Sequence, residues 1–234
     1  MVRQTRGLRS EAVTETELGD EVIATDGRTI GRRAQMTRLK LLESTAKLLA
    51  ERGALELKVI DIAREAGSSA ATFYQYFEDV EVALLALAEE AGSDLGSLEA
   101  LVAGEWGRKA GYDATRTFVA AFIDYWDEHK AILRVRNLRS EEGDQRFRAL
   151  RLSANDGIMR LFIEKVNAAK AAGRISEEMN TYTTAGAMMA VLERLAAFHV
   201  EFERRGVSRA AMVTTIARLL YQSLTGFKPP ASTP

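Results

Sequence analysis

Between Val59 and Phe77 the chain lays down two short helical patterns with a single glycine between them, and that arrangement restricts the fold more than any other feature. Val59, Ile62, Ala63 and Ala66 recur at helical spacing and make one apolar face, while Asp61, Arg64 and Glu65 stay wet. Gly67 ends this first helix, because a residue that tolerates left-handed dihedrals closes so short a turn cheaply. Ser68 or Ser69 can then accept a hydrogen bond from the first free amides of a second helix, predicted from about Ala70 to Tyr76. Phe73 and Phe77, four residues apart, can pin that helix to its domain and leave Thr72, Tyr74, Gln75 and Tyr76 on or near the opposite surface. Two helices joined in this way form a helix-turn-helix, whose second helix suits a DNA groove.

The wording of the segment resembles the tetracycline-repressor (TetR) family of transcriptional regulators. Val59, Asp61, Ile62, Ala63, Ala66, Gly67, Ser69, Thr72, Tyr74, Tyr76, Phe77 and Glu81 stand in register with that family's pattern, and the resemblance covers roughly Arg33 to Leu85. It departs where Lys58 replaces a capping Thr, Ser68 a Val, Ala71 a Gly and Val80 a Lys. Two of those changes remove phosphate contacts that the pattern implies, so the grip on the backbone would be shared differently. Carried over residue by residue, the resemblance implies that Thr72, Tyr74 and Tyr76 touch phosphates or base edges and that Gln75 touches a base. Gln pairs bidentately with adenine through N6 and N7. Ala70 and Ala71 could offer methyl contact to thymine or permit close approach, and Lys58 and Ser69 complete the expected DNA-contacting set on this segment. Arg28, Arg32 and Arg33 sit where family members lay an arm along DNA; solvated surface charge is the plain alternative. Such an arm would be drawn to a narrow minor groove and would add affinity more than specificity.

Overall charge gives little guidance, since 234 residues sum to −1. Its distribution is more telling: between Gly27 and Phe77, nine basic residues face five acidic ones. The absence of cysteine excludes disulfides, zinc fingers and thiol catalysis, and two histidines are too few for a histidine-based metal site. No phosphate-binding glycine loop, Gly-x-Ser-x-Gly elbow or paired-histidine motif is present. Catalytic residues, cofactor and metal are therefore all expected to be none. No apolar run approaches the roughly 18 residues that span a bilayer, and the N-terminus is unlike a signal peptide, so a cytoplasmic protein without membrane contact is expected.

The expected class is all-α, with about nine helices. Residues 1–27 read as a flexible arm, 28–78 as the helix-turn-helix domain, 79–228 as a larger helical ligand-binding and dimerisation domain, and 229–234 as a flexible tail. The first helix is predicted from about Thr29 to Arg52, with a stripe of Leu39, Leu42, Ala46 and Leu49. A fourth starts at a capping Asp79 and runs towards Gly92, and Ser93 to Gly111 reads as frayed or broken. Helices follow over Asp113 to Glu128, His129 to Arg139, Asp144 to Ala172, Asn180 to Arg205 and Ser208 to Thr225. With a core reading beside them, Phe118, Phe122, Trp126, Leu152, Met159, Phe162, Met188 and Leu192 are candidates to line a cavity, and Asn155 or Glu193 could orient a ligand there.

The family's last two helices pair with their symmetry mates. The resemblance thus implies a homodimer through Ala185, Met188, Leu192, Leu195, Phe198, Met212, Ile216, Leu219, Leu220 and Ser223, although a monomer could bury these stripes internally. The resulting expectation is a ligand-responsive regulator, a repressor, that binds a palindromic operator and is released by a small lipophilic effector such as an acyl chain, acyl-CoA or drug. The alternatives are a regulator that needs its ligand as co-repressor, an α-helical enzyme, or a scaffold whose helix-turn-helix serves protein contacts.

Overall fold

A computed structural model describes residues 31–230, and of Arg108 the backbone alone. The expected arm, including Arg28, lies outside the described residues. Within them the chain forms ten α-helices and one 3-10 turn, and no strand, in keeping with the all-α class. The first helix, α1, runs Arg32–Arg52 and stops at Gly53, whose N–H donates to the Leu49 carbonyl at 3.0 Å. Its inner face is Leu41, Leu42, Thr45, Leu48 and Leu49; the predicted stripe was rotated, and Leu39 lies outside. The polar Thr45 is accommodated by turning its hydroxyl back onto the Leu41 carbonyl at 2.7 Å. Helix α2 (Val59–Glu65) packs on α1, and α3 (Ala70–Tyr74) packs on α2.

Asp79 caps α4 (Val80–Gly96), accepting the Val82 N–H at 2.8 Å. This helix passes through Gly92 instead of ending near it. A Cβ at Gly92 would lie 3.2 Å from that of Ala154, so the glycine serves the close approach of α4 to α7, not termination. A short α5 (Glu99–Ala103) precedes α6, a single 34-residue helix over Arg108–Glu141. The predicted boundary at Glu128–His129 is absent, because no glycine or proline interrupts the segment there, and Ile132, Leu133 and Arg136 continue the buried face.

Asp144 caps α7 (Gln145–Ala171), Asn180 caps α8 (Thr181–Ala197) and Ser208 caps α10 (Arg209–Thr225), each with its side-chain oxygen. The expected Asn180 to Arg205 helix is broken at Phe198, and α9 (His199–Arg204) follows. The break turns His199 inward, with Nδ1 2.9 Å from the Ala196 carbonyl and Nε2 3.2 Å from Asp127 on α6. In the larger domain α4, α8 and α10 pack against the α6–α7 pair. Pro229 and Pro230 do not belong to a free tail. The chain folds back after α10, Pro229 is buried, Phe227 stacks on Tyr221, and Arg218 donates to the Pro230 carbonyl at 3.0 Å.

Candidate nucleic-acid interface and effector region

At the turn between α2 and α3, Gly67 has φ 65°, and the Ser68 N–H donates back to the Ala63 carbonyl at 2.8 Å. Of the two candidate caps it is Ser69 that caps α3, its Oγ accepting the Thr72 N–H at 3.1 Å. The Thr72 hydroxyl is 3.0 Å from the same oxygen, so these two hydroxyls hold each other in place. Phe73 and Phe77 are buried with ring centroids 5.4 Å apart, and the Arg38 guanidinium covers Phe77 from α1 at 5.4 Å. Anchored there, α3 turns Ala71, Tyr74 and Gln75 outward at spacings of three and four, with Tyr74 54% exposed. Ala70 and Thr72 are half-buried beside them. Tyr76 differs from expectation: α3 ends at Tyr74, and the Tyr76 ring packs partly against the core.

Four of the nine basic residues are engaged in ion pairs. Asp61 takes Arg64 at 3.3 Å and Arg52 at 3.7 Å, Glu65 takes Lys47, and Glu90 takes Arg38 at 3.8 Å. Lys58 at the start of α2 is exposed, and it forms no ion pair among the described residues. Arg32 and Arg33 open α1 and are exposed. A face of Lys58, Ala71, Tyr74 and Gln75 can offer hydrogen bonds, a methyl group and one charge to a duplex.

The nine candidate effector residues do not come together as one set. Phe118, Phe122, Trp126, Phe162 and Leu192 are buried. Phe118 is the hub of an aromatic run, 5.9 Å from Phe122 and 6.0 Å from Phe162, and Trp106, which sequence reasoning left outside the cavity set, extends it at 6.3 Å from Phe162. Leu152 is 56% exposed, contrary to its place in that group; with Asn155 and Met159 it lines an open groove of about 660 Å³ between α7 and α8. Its exposure follows from the phase of α7, whose inner face is Phe147, Ile158, Leu161, Phe162 and Val166. Met188 is half-buried, and Met189 is the methionine that α8 turns inward.

Asn155 and Glu193, expected to orient a ligand, belong to a polar cluster at the inner end of this region whose buried arginine, Arg136, the sequence did not single out. On α6, Tyr125, His129, Ile132 and Arg136 share one face by their spacing, and Arg136 is 1% exposed. Its guanidinium faces Glu193 of α8 at 3.8 Å, and Glu193 also accepts from Arg151 at 3.0 Å and from Asn155 at 3.3 Å. Burial pushes the Tyr125 hydroxyl up to about 12 and lowers the pKa of Arg136. An arginine at helical spacing from Tyr125 and Ile132 was the available signal.

The stripe assigned to a dimer interface is largely internal. Ala185, Leu192, Met212, Ile216 and Leu220 are buried within the chain, while Leu219 and Phe198 are exposed. What α8 and α10 present outward is Thr183, Ala187, Ala190 and Arg194, then Thr215, Leu219 and Gln222. Among the described residues no helix is long and apolar enough to cross a membrane.

Residues 41–87 match the family described as bacterial regulatory proteins, tetR family, and residues 98–231 match the tetracyclin repressor-like C-terminal domain. Solved structures with the same fold include the fatty acid degradation regulator FadR from Bacillus halodurans, 18% identical over 83% of this chain and 97% of that one, with a TM-score of 0.61. GusR of Salmonella enterica is 18% identical over 81% of this chain and 95% of its own, with a TM-score of 0.60. FadR from Bacillus subtilis, solved in complex with stearoyl-CoA, is 15% identical over 81% and 98%, with a TM-score of 0.59. At these identities the likeness is one of fold. No curated relative matches the chain.

Proposed function

The chain belongs to the TetR family of bacterial regulators, and from that premise we propose that it represses transcription by binding a palindromic operator as a homodimer and lets go when a small lipophilic effector occupies its larger domain. The observation that carries the reading is the division of labour on α3 and the turn that ends it, where Phe73 and Phe77 are buried and Ala71, Tyr74 and Gln75 face outward behind a capped, glycine-turned start. Thr72 would approach the backbone, Tyr74 a phosphate or base edge and Gln75 an adenine edge, with Lys58, Ser69, Arg32 and Arg33 at the flanks.

A dimer would place two such helices in successive major grooves. The outward residues of α8 and α10 supply a surface for it, with Leu219 among their exposed apolar side chains. The effector class is suggested by the aromatic run around Phe118 and by the stearoyl-CoA bound to one structural relative. Release follows if the effector binds better to the conformation whose reading helices are wrongly spaced. Helix α4, which begins three residues after Phe77 and packs on α6 and α7, is the element able to transmit that change.

The test is a mobility-shift titration on the DNA upstream of the protein's own gene, repeated across fatty acids, acyl-CoAs and hydrophobic drugs. Specific binding weakened by at least one panel member supports the proposal. Binding that strengthens with ligand would make the effector a co-repressor, and failure to bind any duplex at low salt would remove the regulator reading.

A further inference from the structure

Helix α1 of the helix-turn-helix domain does not lie flush on the larger domain. Between it and helices α4 and α6 runs a groove of about 440 Å³, a volume in the range of small-molecule sites. Its floor is apolar: Leu42, Leu87, Ala91 and Ile132 are buried beneath it, and Leu39 and Ala46 of α1 stay partly exposed along it. Leu39, which the phase of α1 keeps out of the core, thus finds its place at the edge of this groove.

The rim is acidic. Glu43 comes from α1, Glu90 and Asp94 from α4 and Glu128 from α6, against Lys47 and His129. The charge of Lys47 is spent on Glu65 of α2, which does not line the groove, and His129 stands 3.1 Å from Asp94. Arg38 reaches Glu90 only at 3.8 Å, beyond hydrogen-bond length, while its guanidinium lies over Phe77. Glu43 and Glu128 form no ion pair among the described residues. Even with His129 charged, two of the four carboxylates are left unanswered. Desolvation, with repulsion from Asp94, Glu89 and Glu43 added, pushes the Glu90 carboxyl above its ordinary value against the pull of Arg38. Inorganic cations would answer the carboxylates and leave the floor wet, and no set of three metal-ligating side chains converges among the described residues. A neutral apolar molecule would cover the floor but strip water from carboxylates without replacing it. A cation that carries its own apolar body does both tasks.

We propose that the groove between α1, α4 and α6 binds a lipophilic organic cation, its apolar body on Leu39, Leu42, Leu87 and Ile132 and its charge facing the carboxylates of the rim. The inference goes beyond the effector reading above: the groove shares no residue with the aromatic run around Phe118, and an occupant would bridge the helix-turn-helix domain and the larger domain directly.

The full-length protein would be titrated in sodium buffer with tetraphenylphosphonium and with tetraphenylborate, two ions of matched shape and opposite charge, and followed by calorimetry and thermal melting. The cation is expected to bind at least about tenfold more tightly than the anion, because the sign of one charge is reversed beside unanswered carboxylates, and its affinity should fall as salt is raised. Glu43→Gln combined with Glu128→Gln should weaken the cation several-fold without weakening the anion; both side chains are exposed and unpaired, so the fold is kept. Glu178→Gln, in the turn between α7 and α8, removes the same kind of charge outside the groove and should leave the cation's affinity as it was. Leu39→Lys, at a position 38% exposed, sets a competing ammonium at the edge of the groove and should abolish cation binding. No binding of tetraphenylphosphonium, equal binding of the two ions, or an affinity for the cation indifferent to both the glutamate pair and Leu39→Lys would overturn the proposal. None of these readouts involves DNA or the effector region, so the operator-binding reading stands or falls separately.

Discussion

Glu81, in the first turn of α4, accepts a 2.8 Å hydrogen bond from Arg146 in the first turn of α7, and Arg139 near the end of α6 stands 3.8 Å from its other oxygen. Arg146 is itself held by Asp144, at 2.7 Å. The start of the helix that follows the helix-turn-helix is thus tied to the α6–α7 corner, far along the chain from α3. Exposed ion pairs contribute only about 0–1 kcal/mol, so Glu81→Gln should scarcely move the melting temperature. Its expected effect is on coupling: the factor by which an effector weakens operator binding should shrink, with effector affinity retained. Measuring operator affinity with and without effector for both proteins checks this, and an unchanged factor would place the coupling elsewhere.

The reading face makes a sharper claim. Gln75→Ala should cost about 1–3 kcal/mol of operator binding if the side chain pairs with a base. Tyr74→Ala should also lower specific affinity, with helicity by circular dichroism unaltered, because the ring is 54% exposed and its one ring contact is an edge-on approach to Phe73 at 5.8 Å. If both variants hold the operator as tightly as the parent, α3 is not the reading helix.

The buried pair beneath that face should behave in the opposite way. Phe73→Ala empties a site that is 0% exposed against Phe77 and should destabilise folding by about 3–5 kcal/mol. DNA binding would then be lost through unfolding, visible in urea denaturation. A fully folded variant with normal stability would contradict the packing described.

Acid sensitivity has a local source. The Arg146 hydrogen bond, with help from the backbone N–H groups of Arg146 and Phe147, holds the Asp144 carboxyl down at about 2, below its ordinary 3.8. A group depressed in the folded state contributes stability above its unfolded value and loses it as pH falls through the folded one. Asp144→Asn keeps a capping oxygen without the charge, so its stability should fall less steeply than the parent's between about pH 4 and pH 2. Parallel acid limbs in the two unfolding curves would rule this out.

Association can be tested at one position. Leu219 is 48% exposed on α10, so Leu219→Glu should leave the protomer folded. If α8 and α10 form the dimer surface, the variant should run as a monomer in light scattering and lose operator affinity. A mass equal to the parent's would move the interface to another face.

Features readable from the sequence share one property: the interactions behind them close within about one helical turn. Ser69, Asp79, Asp144, Asn180 and Ser208 each cap a helix by reaching an amide two or three residues on. Gly67 takes the positive φ that its turn needs, and Phe73 and Phe77 meet because they are four residues apart. Helix identity and the helix-turn-helix could therefore be inferred without any knowledge of distant neighbours.

Other decisions belonged to the tertiary structure. Whether Leu39 or Leu41 faces inward depends on where α2 and α4 lie, and the 3.6-residue period by itself leaves the phase of a mixed helix open. Gly92 reads as a stop until Ala154 of α7 is found against it, and Leu152 reads as core until the phase of α7 turns it out. Arg136 is the plainest case: its meaning comes from Glu193, on another helix 57 residues away, because the partner of a buried charge is chosen by packing, and packing is a property of the assembled helices.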